Sequence, residues 1–235
     1  MPIRTHEVEL HGPAGPLDAV WHSADGERPG RFTAVAAHPH PLYGGTKENP
    51  VVLATADALA RAGGATLRFD FRGVGSSAGS HDRGRGEVDD LRAAARVAAA
   101  SSPQQPLLVA GYSFGAAMAL HLLAGNGDIV ARPAAILALA PPIGNYDFSF
   151  LARNRTPLVL LCGDADALTP RAEVERLCAM WGGVVAVLWL DGAGHDLGVG
   201  DRPAELRARL DDAVRLLVDS VWSRAASTPH PGAST

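Results

Sequence analysis

The sequence predicts an α/β fold, an open and mostly parallel sheet with helices on both faces and an antiparallel hairpin at its start. Strand-like and helix-like segments alternate from about residue 32 onward, which is the order of a parallel sheet with crossover helices. The strand-like segments are nearly continuous apolar runs, as expected of parallel strands that are covered on both faces. Two short strands flank the Gly- and Pro-containing turn 11–16, which favours the hairpin.

The individual elements follow from the spacing of apolar residues and from the residues at their ends. Apolar runs predict strands over 5–10, 17–21, 32–38, 65–71, 106–111, 134–142, 156–164 and 184–192. Apolar residues at helical spacing predict helices over 47–63, 86–101, 114–125, 170–183 and 202–225. Glycine closes the first helix, acidic residues lie in the first turn of the second, and proline begins the fourth.

Length and composition favour a single domain, or at most two small ones. Residues 1–225 are expected to form this domain, and the polar, Pro-containing segment 226–235 is expected to be a disordered tail. Hydrophobic residues make up 47% of the chain, which is enough for a sizeable core. The net charge is −4 and no basic cluster stands out, so no nucleic-acid partner is expected.

The apolar runs and the cysteines bear on the location of the protein. No run resembles a signal peptide or reaches the length of a membrane span, so the expected location is cytoplasmic. Cys162 and Cys178 are too few for a disulfide framework and are interpreted as small buried apolar residues. No cofactor is expected, and both a monomer and a homodimer agree with the sequence.

Two segments match the pattern G-x-S-x-G, in which the serine of a nucleophile elbow lies on a tight turn between a strand and a helix. Ser113 has all the surrounding parts, namely the strand 106–111, a glycine two residues away on each side, and the helix 114–125. Ser77 also follows a strand, but a polar loop comes after it and no helix would begin there. Context therefore selects Ser113 as the candidate nucleophile and predicts a loop position for Ser77.

A serine hydroxyl needs a base to take its proton, and in sites of this kind the order along the chain is serine, acid, histidine. His195 lies in a glycine-containing loop after the last predicted strand, where an open α/β sheet places its site, and is the candidate base. Asp166 is the preferred acid over Asp164, because it has cleared the end of its strand and can reach across to His195. Asp147 and Asp191 are further acids that follow strands.

Two backbone amides would complete such a site as an oxyanion hole. The first is expected from Phe114, directly after the candidate nucleophile. The second is expected from the loop 38–45, where two prolines have no N–H to give, which leaves His40, then Leu42 and Tyr43. The H-x-H spacing of two histidines in this loop is weak as a metal signal without supporting cysteines or acids, so no metal site is predicted.

A series of short segments occurs in an order typical of one family, and these segments are HPHPLYGG, LRFDFRGVGSSAG, GEVDDLRAA, GYSFGAAMA, APP, CGDADALTP and GAGHDL. With them the chain resembles the α/β-hydrolase-fold serine hydrolases over nearly its full length, and especially small, lidless, dienelactone-hydrolase-like bacterial members. Such proteins are esterases or thioesterases, which implies Ser113, Asp166 and His195 as a catalytic triad. Dienelactone hydrolases have a cysteine nucleophile, so the serine here argues against dienelactone as the substrate.

Lids in this family follow the strand that here ends near residue 140, and only the segment 141–155 separates that strand from the next. The segment is too short for a cap domain, which predicts an open site. Its aromatic residues Tyr146, Phe148 and Phe150 are expected to line a substrate pocket together with Tyr43. The alternative is that these rings pack on the sheet.

The sequence therefore predicts a serine hydrolase that cleaves a small-molecule ester or thioester through an acyl-enzyme. An acyltransferase or perhydrolase would use the same three residues, and the sequence does not separate it from a hydrolase. A non-catalytic binding module on the same fold is the alternative from another class.

Overall fold

An eight-stranded sheet is the centre of the computed structural model, which describes residues 2–24, 30–124 and 132–227. The strands in these ranges are β1 (Arg4–Glu7), β2 (Leu10–Gly12), β3 (Gly15–Leu17), β4 (Ala19–Ser23), β5 (Phe32–Ala37), β6 (Gly64–Phe69), β7 (Leu107–Tyr112), β8 (Ala135–Leu139), β9 (Leu158–Gly163) and β10 (Val184–Leu190). The sheet order is β1-β4-β6-β5-β7-β8-β9-β10, and β2 and β3 form a separate antiparallel pair. From β6 onward in that order all neighbours are parallel, whereas β4 runs antiparallel to β1 and β6.

Helices cover both faces of the sheet. The α-helices in the described residues are α1 (Pro50–Arg61), α2 (Arg85–Ser101), α3 (Phe114–His121), α4 (Arg171–Met180) and α5 (Pro203–Ser227). Side chains of β5 alternate between two cores: Val35 belongs to a core that also contains residues of α2, α3 and α4, and Ala34 and Ala36 belong to a core that also contains residues of α1 and α5. Because both faces of the central strands are buried, most of their residues are apolar, and the predicted fold class is confirmed.

The start of the chain forms the predicted antiparallel pair, with an additional ladder inside the predicted turn. Strand β1 pairs with β4, so that Thr5 lies opposite His22. Within the intervening segment Leu10 lies opposite Leu17, and the two leucines are 1% and 4% exposed. The segment is therefore anchored to the core by these side chains and forms strands of its own, which the turn residues alone did not predict.

Two of the predicted helices are shorter than the apolar pattern suggests. Asn49 accepts the amide of Val51 as the N-cap of α1, and Pro50 occupies the first helical position, so the helix begins three residues later than predicted. Helix α3 ends at His121, four residues before its predicted end, and residue 125 lies outside the described residues.

Helix α5 is long, as predicted, and it extends past the predicted start of the tail. It ends at Ser227, two residues into the segment 226–235 that was expected to be disordered, and the rest of that segment lies outside the described residues. Within the described ranges no helix combines the length and the hydropathy that crossing a bilayer requires.

The carboxyl ends of the parallel strands meet at one edge of the sheet, and the predicted site residues follow four of them. Strand β5 leads into the loop 38–45 and β7 leads into Ser113. Strand β9 precedes the loop of Asp166, and β10 precedes the loop of His195. Parallel pairing therefore brings residues that are far apart in sequence to the same edge.

The segment between β8 and β9, where a lid would be inserted, is short. It makes two 3-10 turns, Ile143–Asn145 and Ser149–Arg153. A segment of this size cannot form a cap domain, and the edge of the sheet carries none there, as predicted.

Candidate active site

Ser113 lies on a strained turn between β7 and α3. Its φ of 54° and ψ of −116° fall outside the regions that residues with a Cβ ordinarily adopt. Such a conformation costs about 1–3 kcal/mol and persists only where the surrounding structure holds it. The Ser113 amide donates to the carbonyl oxygen of Leu139 at 2.8 Å, while its side chain makes no capping bond to α3. The hydroxyl is thus left available to other groups.

Two glycines permit the close packing that this turn requires. A Cβ at Gly111 would lie 2.2 Å from the carbonyl oxygen of Gly115, and a Cβ at Gly115 would lie 2.3 Å from that of Ala37 at the end of β5. Both obstructing atoms belong to the main chain, so no side chain can swing aside to make room. The glycines of G-x-S-x-G therefore reflect the contact of β5, β7 and α3 around Ser113.

The substitution Gly115→Ala is expected to lower the free energy of unfolding by about 1–3 kcal/mol, because the added methyl group forces β5 and α3 apart. Urea denaturation measures the change. Gly144→Ala is the matched control, since a Cβ at Gly144 meets no atom within 4 Å, and its effect is expected to stay within about 0.5 kcal/mol. Equal losses for both variants would contradict the packing explanation.

A hydrogen-bonded chain links Ser113, His195 and Asp166, the three residues predicted to act together. Nε2 of His195 lies 2.7 Å from Oγ of Ser113, and Nδ1 lies 2.8 Å from Oδ2 of Asp166. Because a carboxylate can only accept, we assign the imidazole proton to Nδ1, which leaves a lone pair on Nε2 facing the hydroxyl of Ser113. This tautomer is the one that can accept a proton from serine.

Asp166 is buried and ionised. Burial alone raises the pKa of its carboxyl group, but hydrogen bonds from His195 and from the amide of Leu168 outweigh burial and hold the pKa below its usual range. The Leu168 amide donates to Oδ1 at 2.8 Å, while Oδ2 faces His195. Each carboxylate oxygen thus has a partner that fixes its direction, and the group is negatively charged at neutral pH.

The other acids considered from the sequence do not contact His195. Asp164 is exposed and accepts an amide hydrogen bond from the loop that follows β10. Asp147 accepts an amide hydrogen bond within its own turn, and Asp191 is exposed. The structure brings Asp166 to the histidine, while Asp164 helps to hold the histidine's loop.

Tyr112, which was not among the predicted site residues, also fixes the position of His195. Its hydroxyl donates to the carbonyl oxygen of His195 at 2.9 Å. Burial, together with the negative charges of Asp196 and Asp166, raises the pKa of Tyr112 to about 12, so the phenol remains a donor at neutral pH. Its place at the end of β7, directly before Ser113, was the signal in the sequence that could have identified it.

Ser77, in the second match to G-x-S-x-G, is engaged in holding loops together. Its hydroxyl donates to the carbonyl oxygen of Asp70 at 2.8 Å and accepts the amide of Asp18 at 2.9 Å. The carboxylate of Asp70 in turn binds Lys47, the one lysine of the sequence, through its amide at 2.6 Å and its ammonium group at 2.9 Å. Ser77 is thus a loop residue, as predicted, with its donor and an acceptor site both in use.

The amides near Ser113 differ in whether they are free to bind an oxyanion. The amide of Phe114 is the first of α3 and has no helical carbonyl one turn before it. In the loop after β5, the amides of Leu42 and Tyr43 donate to Nδ1 and to the carbonyl oxygen of His40, at 3.2 and 3.0 Å. Leu42 therefore does not fit the role predicted for it, because its amide is used within the loop. The amides of Phe114 and His40 remain the candidates.

His38 uses both ring nitrogens to hold the same loop. Nε2 accepts the amide of Phe71 at 3.0 Å, and Nδ1 donates to the carbonyl oxygen of Pro39 at 2.6 Å. Burial lowers the pKa of His38 to about 4, so the ring is neutral. Since neither nitrogen keeps a free lone pair, the H-x-H spacing serves the loop and gives no metal ligand at His38.

A cavity of about 320 Å³ opens at Ser113 and His195. Besides the elbow residues and His195, its lining comprises Pro39, His40, Tyr43 and Asn49 from the chain after β5 and Pro142, Asn145, Tyr146 and Leu168 from the chain after β8 and β9. The predicted wall residues Tyr43 and Tyr146 are thus present, and none of the described lining residues is a lysine, arginine, aspartate or glutamate. A molecule in this cavity meets apolar and hydrogen-bonding groups without a fixed charge.

Phe148 and Phe150, which were also predicted to line the pocket, lie elsewhere. Their rings pack around His121 of α3, with centroids 5.3 and 5.1 Å from that of the imidazole. Phe148 is 4% exposed, and neither ring is part of the cavity lining. Packing beside α3 buries Phe148 and half-buries Phe150, so neither ring forms the predicted pocket wall. This outcome is closer to the alternative, in which the rings pack against the protein, although the ring that they contact belongs to the helix α3 and not to the sheet.

Known proteins are similar to this chain in both sequence and fold. A family model described as serine aminopeptidase, S33, matches residues 44–147, a range that includes Ser113 and ends before Asp166 and His195. An uncharacterized protein of Rickettsia prowazekii (strain Madrid E) is 37% identical over 175 residues, which are 73% of this chain and 71% of that protein.

Solved structures of similar proteins superpose on most of the chain. An α/β serine hydrolase without lid from Xanthomonas campestris is 32% identical, with a TM-score of 0.78, over 92% of this chain and 95% of its own. An α/β serine hydrolase homologue from Coxiella burnetii is 33% identical, with a TM-score of 0.78, over 88% of this chain and 96% of its own. At this identity, sustained over nearly the full length of both relatives, the chain belongs to the lidless α/β serine hydrolases.

Proposed function

We propose that the protein hydrolyses carboxylic esters or thioesters of short, uncharged acyl groups, with Ser113 as nucleophile, His195 as general base and Asp166 as the acid that orients the base. The observation that carries this proposal is the unbroken chain of contacts from Asp166 through His195 to Ser113, of 2.8 and 2.7 Å. A positioned base of this kind is what makes a serine hydroxyl nucleophilic.

In the first half of the proposed reaction an acyl-enzyme forms. Oγ of Ser113 attacks the carbonyl carbon while its proton passes to Nε2 of His195, and the carbonyl electron pair moves onto oxygen. The amides of Phe114 and His40 donate to this oxyanion. His195 then gives the proton to the departing alkoxide or thiolate, and the acyl group remains on Ser113.

In the second half water takes the place of the leaving group. His195 removes a proton from water as the water oxygen attacks the acyl carbon, and the same proton returns to Oγ of Ser113 when the carboxylic acid leaves. Asp166 stays ionised and stabilises the imidazolium at each transfer. The hydrogen bond from Tyr112 to the carbonyl oxygen of His195 supports the base in this position.

The cavity favours short and uncharged acyl groups. Its volume is about 320 Å³, and no lid adds an apolar surface for a long chain. A carboxylate on the substrate would lose its hydration there without meeting a cation, because no lysine or arginine is among the described lining residues. This argument adds to the one against dienelactone, which is itself a carboxylate.

A panel of p-nitrophenyl esters and acyl-coenzyme A thioesters of graded chain length tests the proposal. We expect kcat/KM to be highest between acetyl and butyryl groups and to fall by about tenfold or more for octanoyl and for the anionic hemisuccinyl group. A preference for octanoyl or hemisuccinyl would contradict the assigned substrate class. Absence of any turnover, together with no labelling of Ser113 by a fluorophosphonate, would contradict the function itself.

Two alternative functions share parts of this mechanism. An acyltransferase or perhydrolase would form the same acyl-enzyme and differ only in the acceptor that attacks it. A non-catalytic binding module would have no use for the strained conformation of Ser113 or for its contact with His195, which argues against it. The cytoplasmic location and the choice between monomer and homodimer stay predictions.

A further inference from the structure

His40 is among the residues that line the cavity, and its imidazole has a defined protonation state. Its Nδ1 accepts the amide of Leu42 at 3.2 Å, and a neutral imidazole that accepts at Nδ1 carries its proton at Nε2. Burial lowers the pKa of His40, and a proton on the nearby His81 would lower it as well, although Glu87 acts in the opposite direction. At neutral pH His40 is therefore uncharged and has an N–H donor at Nε2.

Three neighbouring rings hold the imidazole of His40 in place. The ring centroids of Tyr43 and His81 lie 4.8 Å from that of His40, and the centroid of Phe114 lies 4.9 Å away. Within the described residues the hydrogen bonding of this imidazole ends at Leu42, so the Nε2–H is left for a ligand. A side chain already held in this way loses little further freedom when it binds, which makes it a preorganised donor.

A buried carboxylate supports the arrangement from behind. Glu87 is fully buried, and it accepts the amides of Asp82 at 2.7 Å and Gly84 at 2.8 Å. Nδ1 of His81 lies 2.8 Å from Oε1 of Glu87, close enough for an ion pair although the ring N–H is not aligned for a hydrogen bond. The turn around this carboxylate includes Arg83 and Gly84 in left-handed conformations, with φ of 54° and 91°. A buried, paired carboxylate of this kind is a costly feature that the fold maintains beside the cavity.

We propose that His40 is a specificity-determining residue, whose Nε2–H donates to an uncharged acceptor oxygen of the substrate beside the scissile carbonyl, and that the Glu87–His81 pair holds it there. This inference rests on the proposed ester hydrolysis and narrows its substrate class. The acyl group it specifies is short and carries an ether, hydroxyl or carbonyl oxygen. A neutral donor suits a neutral acceptor, whereas a carboxylate is better matched by a cation.

The p-nitrophenyl esters of butyric and methoxyacetic acids test this inference, because one CH₂ group is exchanged for an ether oxygen. The rates of the two esters with hydroxide give the intrinsic difference in their reactivity. Relative to that ratio, the wild-type enzyme is expected to favour the methoxyacetyl ester by about 3–10-fold in kcat/KM, which is the effect of one neutral hydrogen bond. His40→Phe keeps a ring and the backbone amide but removes the donor, and should return the ratio to the hydroxide value. His40→Gln restores an N–H donor and should recover part of the preference.

Two further variants complete the design. His81→Asn, outside the cavity lining, is expected to reduce the preference by loosening the support of His40, and an unchanged ratio would overturn the role of the Glu87–His81 pair. His121→Phe is the matched control, the same exchange at a half-buried histidine that is not part of the lining, and it should keep the wild-type ratio.

The outcome for His40→Phe decides the inference separately from the proposed function. A wild-type ratio in this variant, or an equal loss on both esters, would show that His40 does not recognise the acceptor oxygen and would overturn the inference, while ester hydrolysis itself would stand. If the wild-type protein hydrolysed neither ester, the proposed function would fail instead. Should His40→Phe not fold, the ratios of His40→Gln and His81→Asn decide the inference in the same way.

Discussion

The substitution Ser113→Ala is expected to lower kcat for ester hydrolysis by roughly 10⁴–10⁶-fold, because no hydroxyl remains for His195 to deprotonate and no acyl-enzyme can form. The fold should survive, since the exchange removes one atom and the amide at this position still donates to Leu139. Steady-state kinetics with p-nitrophenyl butyrate measure the loss. A fluorophosphonate should label the wild-type protein at Ser113 and leave the variant unlabelled.

Ser77→Ala is the matched control, because it changes the serine of the other G-x-S-x-G segment. The carbonyl oxygen of Asp70 and the amide of Asp18 each lose a partner, so the free energy of unfolding should fall by about 1–3 kcal/mol. The folded variant should keep a kcat close to that of the wild-type protein. Urea denaturation and kinetics separate the two effects, and loss of activity in Ser77→Ala with activity retained in Ser113→Ala would reverse the assignment.

The choice between these serines could be made from the sequence because it depends on local order. A strand, a serine flanked by glycines and a helix follow one another within a short stretch around Ser113, and the chain after Ser77 lacks the helix. The position of His195 follows from a similarly general rule, because parallel strands bring their carboxyl ends to the same edge of the sheet. For that reason Ser113 and His195, 82 positions apart, could be predicted to meet.

Contacts between loops could not be predicted in the same way. The ring of His40 meets that of His81, and no strand order or residue spacing connects their two loops. The amide of Leu42 was predicted as an oxyanion donor, but in the structure it donates to Nδ1 of the His40 ring. The side on which Phe148 packs depends on the two 3-10 turns around it. These turns are too short for the spacing of their apolar residues to show which side is buried.

The substitution Asp166→Asn is expected to lower kcat by about 10⁴-fold with little change in KM. An amide group can present N–H to Nδ1 of His195, which favours the tautomer protonated at Nε2, and that tautomer cannot accept the proton of Ser113. Asp164→Asn is the matched control, because Asp164 is exposed and contacts the loop after β10 without touching His195. Equal losses in kcat for the two variants would contradict the assignment of the acid.

The same two variants should also differ in how their stability depends on pH. Burial raises the pKa of Asp166, but the hydrogen bonds from His195 and from the amide of Leu168 lower the pKa by more than burial raises it. The pKa in the folded protein is therefore below the usual range. A carboxyl group of this kind contributes stability above its unfolded pKa, and the contribution is lost as the pH falls through the folded pKa. Between neutral pH and about pH 3 the wild-type protein and Asp164→Asn should therefore lose stability more steeply than Asp166→Asn. Urea denaturation across this range measures the slopes, and parallel curves for wild-type and Asp166→Asn would show that the folded protein does not hold the Asp166 carboxylate in the contacts on which the proposed mechanism depends.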